Sequence, residues 1–581
     1  MEADLLRARL TKALSPEKVI PMRLFLCAAL LLAGCAHIRS NDPSSWRELQ
    51  SEHFLLRTDL PQEEARAAVL DLEMIRSALL AAGWHRSHLS SARILVVALR
   101  SDRELREFLP ERIDGVSIYD TFGERLLLVG ASGSLLDSEV VKHELTHALA
   151  LDFLVTDPRW VQEGLACYLE TLKIDRGRAE VLRGDTVWQR LQHLSRRPPG
   201  KLNWSGEVMG MGAAFDSTDG YRFETLSWAL VHWLVDTQPE RFEQFLTRLS
   251  RGENMWGSFN AAFPDLDEAR VETGMHVYLL HPSAMRRKRL SFTPWSGPVA
   301  ERSIAPAEVH ALRAQLFRRV SIVERKEGGQ RSLDAELLLS KASDPANPLA
   351  LALTPNSNAK AAIDAHPEDW RSWVIWYDKN PKDASAIRKA AAIAPDNAGV
   401  IARLAAAEQD EGKAAEAIRH AEQAMHLSAR FDVLHVLAYI YAANDRCADA
   451  AAAEERAIDA LPDAVERGVP GAMRQSLSGI LQGCGKVGRK GKDLRTVEAE
   501  PVLIGCRQSL LFLPDGAKGI SAQFTIRENG SVAAVAVQGS RNDEINGLVR
   551  EFVQSCQFDP VVVDGRARRV QTSLPLEALL R

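Results

Sequence analysis

The sequence predicts a multidomain protein: an α+β domain at the N-terminal end, a helical repeat region, and a small α+β domain at the C-terminal end. Three observations support this prediction. The chain has 581 residues, which is too long for one hydrophobic core. Strand-like and helix-like segments alternate before residue 153, and Ala-rich helices occupy 360–463. Hairpin signals then mark the segment 519–575.

Composition and charge exclude some classes of function. The chain is 46% hydrophobic and 26% charged, which is typical of a globular protein. Its formal net charge is -5 and its isoelectric point is about 6.3. Because a nucleic-acid-binding protein usually carries a basic excess, we expect no nucleic-acid partner.

The N-terminal segment has the features of an export signal. A basic residue precedes an apolar run at 24–34 in "MRLFLCAALLLAGCAH". This run is too short to cross a bilayer, which takes about 20 apolar residues, and is typical of a secretory signal. We therefore expect a signal peptide within 1–34. Residues 1–21 carry acids unlike a signal, so Met22 is an alternative start.

The end of that signal, "LAGC" at 32–35, resembles the lipobox of bacterial lipoproteins. This resemblance implies cleavage before Cys35 and acylation of that cysteine. Ala36 resembles the residue that directs such proteins to the outer membrane. The expected location is the bacterial cell envelope, facing the periplasm, with the membrane bound through the N-terminal lipid.

Besides Cys35, five cysteines follow the expected cleavage site. An oxidising compartment permits disulfides, and four cysteines lie in the C-terminal third of the chain. We expect Cys506 to pair with Cys556 and Cys447 with Cys484, because each pair falls within one local region. Cys167 is then left as a buried free thiol with a packing role.

The first domain is predicted at 41–290. Strand-like runs occur at 53–59, 92–99 and 124–132, with helices between them and a mostly helical segment after 159. A stretch rich in proline and glycine at 291–308 predicts a boundary, followed by a helical connector through 355.

The segment "SEVVKHELTHALALDF" at 138–153 contains the main candidate site. Residues i and i+4 share one face of a helix, so His143 and His147 can bind one metal ion. Glu144 lies about 100° around the helix, where it can reach a water on that ion. The pattern is weak alone, since its three fixed positions also recur by chance.

A second segment, "WVQEGLA" at 160–166, supplies the third ligand that a hydrolytic zinc site needs. The two segments together resemble the gluzincin metallopeptidases. The resemblance implies a zincin-like fold, one Zn²⁺ per chain held by His143, His147 and Glu163, and Glu144 as the general base. The resemblance also implies a peptide or protein substrate, and we favour endopeptidase over exopeptidase action.

Two further features of the site follow from the same resemblance. The oxyanion of the reaction calls for an additional donor, and Tyr221 or His232 is the candidate. The strand at 125–132 occupies the place of an edge strand that binds an extended peptide by β-addition. A strand that only completes the sheet is the alternative.

The remaining regions resemble interaction modules. Ile393 and Leu427 lie 34 residues apart, each just before a turn, and 356–480 resembles tetratricopeptide repeats. The segment 495–581, with "NGSV" and "FDPVVVDG", resembles the C-terminal domain of TonB-type proteins. Both imply partners among proteins of the cell envelope.

The sequence thus predicts a lipid-anchored zinc metallopeptidase with two interaction modules. The competing hypothesis is a periplasmic scaffold that binds proteins through the repeat and TonB-like regions, with an inactive or structural zinc site.

Overall fold

The structure is a computed structural model of the chain. It describes, besides a few isolated residues, 46–83, 93–111, 113–154, 158–183, 220–251, 255–266, 268–280, 287–324, 329–459, 503–506, 519–527, 530–540, 543–558, 562–563, 566–567 and 570–579. The predicted signal peptide, Cys35 and Cys484 lie outside the described residues.

The first part of the chain alternates strands and helices as predicted. In chain order it contains β1 (Arg47–Gln50), β2 (Phe54–Thr58), α1 (Gln62–Gly83), β3 (Ile94–Leu99), α2 (Asp102–Phe108), β4 (Gly115–Tyr119), β5 (Arg125–Gly130), α3 (Glu139–Phe153), α4 (Arg159–Leu169), β6 (Lys173–Asp175) and β7 (Glu180–Arg183).

Helices then follow, ending in two short strands. These elements are α5 (Gly220–Thr237), α6 (Pro239–Leu249), α7 (Met255–Ala262), α8 (Glu268–Leu280), β8 (Lys288–Ser291) and β9 (Ala300–Ser303). Among the described residues, none of the helices has both the length and the apolar composition needed to cross a bilayer.

A series of helices, which we call the helical array, occupies residues 306–459. It comprises α9 (Pro306–Glu324), α10 (Gly329–Ser343), α11 (Pro348–Ala352), α12 (Ala359–Ala365), α13 (Trp370–Lys379), α14 (Ala384–Ile393), α15 (Ala398–Asp410), α16 (Ala414–Leu427), α17 (Phe431–Ala443) and α18 (Cys447–Asp459). Consecutive helices pair from α13 onward, and α14 and α16 end 34 residues apart. The repeat-like organisation predicted for this region is therefore confirmed.

The C-terminal part is a small α+β unit. It contains β10 (Leu503–Gly505), β11 (Ser521–Ile526), β12 (Val532–Gln538), α19 (Asp543–Gln554), β13 (Gln557–Phe558), β14 (Val562–Val563), β15 (Arg566–Ala567), β16 (Val570–Pro575) and α20 (Leu576–Leu579). β11 pairs antiparallel with both β12 and β16, so the predicted hairpin is confirmed.

The central sheet has six strands in the order β4-β5-β3-β2-β1-β9. β2, β3 and β5 are parallel, whereas β4 runs antiparallel to β5 at one edge. The prediction that the segment 125–132 forms an edge strand is wrong, because β5 pairs on both sides. The edge strand is β4, a short strand that the sequence pattern does not predict.

The opposite edge corrects a second prediction. β9 pairs antiparallel with β1, and the Arg47 guanidinium forms an ion pair with Glu301 at 2.9 Å. The stretch 291–308 is therefore not a boundary, since it contains a strand of the first domain's sheet. Its prolines and glycine lie in the irregular segment 292–299 before this strand and at Pro306, where α9 begins.

The sheet separates two hydrophobic cores. Alternate side chains of a strand point to opposite faces. Val96 and Ala98 of β3 accordingly lie in the core formed with α1, α3, α4 and α5, and Val97 and Leu99 lie in the core formed with α2 and the helical array. Because all four are fully buried, the helical array is packed onto the first domain by the hydrophobic effect.

Candidate metal centre

The helix α3 holds two histidines on one face. Ser138 caps its N-terminus by accepting a hydrogen bond from the Val141 amide at 3.2 Å, which fixes where the helix begins. His143 and His147 follow one turn apart, and their Nε2 atoms are 3.1 Å from each other. The sequence prediction that both rings point the same way is confirmed.

Helix α4 brings Glu163 to the same place. Its Oε2 lies 3.5 Å from Nε2 of His143 and 3.6 Å from Nε2 of His147. Gly164 lets α4 pack closely against α5, since a Cβ there would lie 2.6 Å from the Ser227 carbonyl oxygen. The three residues form a group able to hold a metal ion, and we call them the triad.

The triad has the dimensions of a tetrahedral zinc site. Ligands about 2.0–2.1 Å from zinc at tetrahedral angles lie about 3.3–3.4 Å from one another. The three separations in the triad, 3.1, 3.5 and 3.6 Å, bracket that value. Two imidazole nitrogens and one carboxylate oxygen are also a donor set that zinc takes in hydrolytic sites, which leaves a fourth position for water.

Glu170 supports the triad from behind, and the sequence analysis missed it. Its Oε2 lies 2.7 Å from Nδ1 of His143, the nitrogen on the far side of the ring from the triad. A carboxylate in this place orients a metal-binding histidine and strengthens it as a ligand. The available signal was spacing, because Glu170 follows Glu163 by two helical turns and so lies on the same face.

Cys167 is a buried free thiol, as predicted. Its Sγ is 4.0 Å from Nδ1 of His143, and with that residue and Glu170 it forms a second group of metal-ligand type. The two groups share His143. The second group lies on the Nδ1 side of the His143 ring, away from the triad.

The electrostatics of the cluster favour a positive charge at the triad. Burial opposes ionisation of Glu163, but the charge of His147 and hydrogen bonds with both histidines hold its pKa well below its ordinary value. Burial likewise opposes a charge on His143, whereas contacts with Cys167, Glu163 and Glu170 raise its pKa well above the ordinary value.

Two buried cations, Arg125 and Lys142, attach helix α3 to its surroundings. The Arg125 guanidinium of β5 donates to the Ala148 carbonyl at 3.0 Å, one residue beyond His147. The Lys142 ammonium donates to the Leu172 carbonyl at 2.9 Å, beyond the end of α4. These bonds fix α3 against both the sheet and α4.

Glu144 lies beside the triad, between α3 and the sheet edge. The side chain is half-buried, and its Cγ would be 3.2 Å from a Cβ built on Gly115 of β4. The same Cβ would lie 2.6 Å from the Val140 side chain, so the absence of a side chain at Gly115 is what lets β4 approach α3 here.

The two candidates for the additional donor have different outcomes. Tyr221 lies in the first turn of α5, and its side chain lies outside the described residues. His232 is fully buried, and its Nδ1 donates to the Tyr278 hydroxyl at 2.6 Å, which in turn donates to Asp236 at 2.7 Å. These contacts join α5 to α8, and the structure gives His232 a packing role.

The cysteine pairing predicted for the C-terminal unit is confirmed. Cys506 and Cys556 form a disulfide that connects the end of β10 to the segment before β13. Cys447 is also disulfide-bonded, and its predicted partner Cys484 is outside the described residues.

Fold and site together define a multidomain α/β protein with a candidate metal centre of two histidines and a glutamate. Residues 138–255 match the family described as "Protein of unknown function (DUF1570)". The match begins at the cap of α3 and ends at the start of α7, so it contains the whole triad together with Glu144 and Glu170. No curated protein matches the chain.

Proposed function

We propose that the protein is a zinc-dependent peptidase of gluzincin type. The observation that carries this proposal is the convergence of the triad atoms, at separations of 3.1–3.6 Å, with Glu144 next to His143. A bound zinc ion lowers the pKa of a water ligand towards 7 and polarises a carbonyl group. The triad binds one ion per chain, and Glu170 orients His143.

Glu144 is the proton carrier of the proposed reaction. It accepts a proton from the attacking water and later donates a proton to the leaving amine, as a general base and then a general acid. Its position between α3 and β4 places it beside the edge of the sheet. The additional donor to the oxyanion remains Tyr221 in this proposal, since His232 is engaged with Tyr278.

The substrate lies along β4 in this proposal, rather than along β5. β4 is an edge strand that contacts helix α3. Because it is at the edge, one row of its backbone groups faces away from β5. An extended peptide adds to such an edge through main-chain hydrogen bonds. This arrangement fits an endopeptidase, because it binds chain on both sides of the cleaved bond.

The decisive experiment is replacement of Glu144. We expect Glu144→Gln to bind one zinc per chain, as the wild type does, and to lower cleavage of an unstructured protein by about 10²–10⁴-fold. Glu139→Gln is the matched control, because Glu139 is exposed on the first turn of the same helix. Equal cleavage by Glu144→Gln and wild type would contradict the proposal.

A non-catalytic scaffold is the second candidate. Among the described residues, four of the six exposed large hydrophobic side chains lie on the helical array: Leu338, Leu339, Ile393 and Tyr439. Single exposed apolar groups are common on protein surfaces, so the support for this function is the repeat-like series of helices, because stacked helical repeats build extended binding surfaces. A wild-type protein that binds no zinc and cleaves no peptide would favour this function.

We also propose that the chain is a lipoprotein of the cell envelope, with TPR-like and TonB-like regions that contact envelope proteins. The support is the "LAGC" sequence at 32–35 and the disulfide of Cys506 with Cys556, which suits an oxidising compartment. We expect Cys35→Ser to release the protein from membranes, measured by fractionation. Continued membrane attachment of this variant would contradict lipidation.

A further inference from the structure

The turn between β4 and β5, residues 120–124, lies against the helical array; we call it the docking turn. The Thr121 amide donates to the Gln315 side chain of α9 at 3.2 Å. Just before the turn, Arg319 of α9 donates to the Tyr119 carbonyl at 2.7 Å. Arg430, at the N-cap of α17, donates to the Gly123 carbonyl. The array therefore holds the backbone of the turn at two points and the end of β4 at a third.

The docking turn is acidic and meets the N-terminal ends of three alternate helices. Arg371 is the second residue of α13, Gly399 the second of α15, and Arg430 caps α17. Asp120 and Glu124 are the acids of the turn. Because helix N-termini carry partial positive charge, they stabilise acidic groups placed there, and the two arginines add full charges.

Burial makes this electrostatic contact demanding. Asp120 is 4% exposed and accepts hydrogen bonds from the Phe122 and Glu124 amides, each at 2.8 Å. Burial and the nearby Asp120 raise the pKa of Glu124 to about 7, although Arg430 and Arg371 oppose the shift. Loss of either arginine would leave these acids with one fewer cationic neighbour, which is costly for buried charge.

Aromatic and glycine contacts complete the fit. The Phe122 ring meets Trp370 of α13 edge-on, with centroids 5.2 Å apart. Gly123 has φ +82, and a Cβ there would lie within the Arg430 guanidinium. A Cβ on Gly399 would be 2.8 Å from Nη2 of Arg430 and 3.2 Å from the Phe122 carbonyl. The turn and the helix ends leave no room for side chains at either glycine.

The docking turn and the metal centre lie at opposite ends of one short strand. β4 begins at Gly115, beside Glu144, and ends at Tyr119, beside the turn. β5 is the only strand paired with β4 in the described sheet. Arg106 of α2 also holds the segment just before β4, by donating to the Ile113 carbonyl at 2.6 Å and pairing with Asp114. The other end of β4 depends on what holds its turn.

We propose that the helical array acts as an internal clamp on the docking turn, with Arg430 as a positioning residue for β4 and, through it, for Glu144. The clamp itself stands on the contacts above, whereas its effect on catalysis rests on the proposed function. One rim of the array is thereby occupied by the chain's own turn rather than by a separate protein.

Hydrogen exchange tests the clamp without reference to activity. In the full-length protein loaded with zinc, we expect Arg430→Ala to accelerate amide exchange across 115–124 about tenfold, with the exchange of α3 unchanged. Arg388→Ala is the matched control, because Arg388 forms an exposed ion pair with Glu411 in the same array. Unchanged exchange across 115–124 in Arg430→Ala would overturn the proposal.

Kinetics provides the second readout. We expect Arg430→Ala to retain one zinc per chain and to lose about tenfold in kcat, because small displacements of catalytic groups are expensive. Arg430→Lys keeps the charge but not the two-pronged geometry, so we expect an intermediate effect. An unchanged kcat would overturn the positioning role.

Two outcomes separate this inference from the proposed function. A wild type without peptidase activity would end the proposed function, while accelerated exchange at 115–124 would still support the clamp. If Arg430→Ala does not fold, Arg430→Lys and Gln315→Ala carry the same exchange test, since Gln315 accepts a hydrogen bond from the Thr121 amide. Exchange as slow as the wild type's in both would overturn the clamp.

Discussion

Buried charge occurs on both faces of the central sheet, in two different arrangements. On the face of α3 and α4, the side-chain atoms of His143, His147 and Glu163 all turn towards one point, 3.1–3.6 Å apart. A neighbouring cation, Arg159, has its Nη2 3.9 Å from the other carboxylate oxygen of Glu163. The ligand-type atoms thus converge, which is typical of a site that binds a cation.

On the face of the helical array, opposite charges alternate. The Arg313 guanidinium of α9 lies between Glu107 of α2 and Glu336 of α10, and His310 also bonds to Glu336, at 2.7 Å. Every ionic group in this cluster has an oppositely charged neighbour on another helix. This difference indicates that the arrangement of positive and negative groups, more than their burial, distinguishes a binding site from a structural network of ion pairs.

The strongest test of this comparison removes a converging carboxylate. We expect Glu163→Ala to abolish zinc binding, from one ion per chain to none, because two histidines remain. The thermal midpoint of the metal-free protein should also fall, because the variant loses the buried contacts of Glu163 with His143 and His147, so zinc content is the deciding readout. Retained zinc in metal analysis would break the comparison.

Removal of an alternating carboxylate should have the opposite outcome. Glu336→Ala leaves the buried Arg313 with one fewer partner, and breaking a buried pair costs about 3–5 kcal/mol. We expect a thermal midpoint lowered by several degrees and faster hydrogen exchange in α9 and α10, with zinc binding unchanged. A midpoint equal to the wild type's would show that the network contributes little.

A smaller effect is expected at the support of the triad. Glu170→Gln removes the carboxylate behind His143 and should weaken zinc binding by about 10–100-fold. Competition with a chelator measures this change. Glu139→Gln, on the exposed first turn of α3, is the control. An unchanged affinity would place Glu170 with the structural charges instead.

A last effect appears only when the pH changes, and it concerns an acid that fits neither arrangement. Glu104 is 1% exposed, and burial together with the charge of Asp59 raises its pKa to about 8. The folded protein therefore keeps a proton that the unfolded chain releases near pH 4.5. Stability from this group falls as pH rises from about 4.5 to 8, by at most about 1.4 kcal/mol per pH unit.

We accordingly expect Glu104→Gln to reduce the loss of thermal stability between pH 6 and pH 8. The midpoints of wild type and variant should diverge as pH rises, whereas Glu64→Gln, at an exposed position on α1, should follow the wild type. Parallel curves for Glu104→Gln and wild type would show that the carboxyl titrates normally.

Local pattern was sufficient for part of the site and the fold. The spacing of His143 and His147 indicates a shared helical face, and the segment around Glu163 is itself helical, so the structure brings the three together as predicted. Glu170 required knowledge of how α4 is rotated against α3. The five-residue strand β4 has too short a pattern to stand out from the loops beside it.

Long-range pairing explains the other differences. β9 is four residues of mixed polarity, "AERS", and it becomes a strand only because β1 offers it a partner. The docking turn reads as an ordinary surface turn, "DTFGE", until the array's helices are placed over it. Contacts between distant segments determine these features, and such contacts cannot be predicted from a short stretch of local sequence.

The pairing of β1 with β9 also has a consequence for how the protein is made. Arg47 and Glu301, which join the two strands, are 254 residues apart. At a synthesis rate of about 5–20 residues per second, β1 leaves the ribosome about 12–50 s before its partner exists. During that interval one edge of β1 is unpaired and open to association with other chains. We expect the nascent chain to depend on chaperones until residue 303 has emerged.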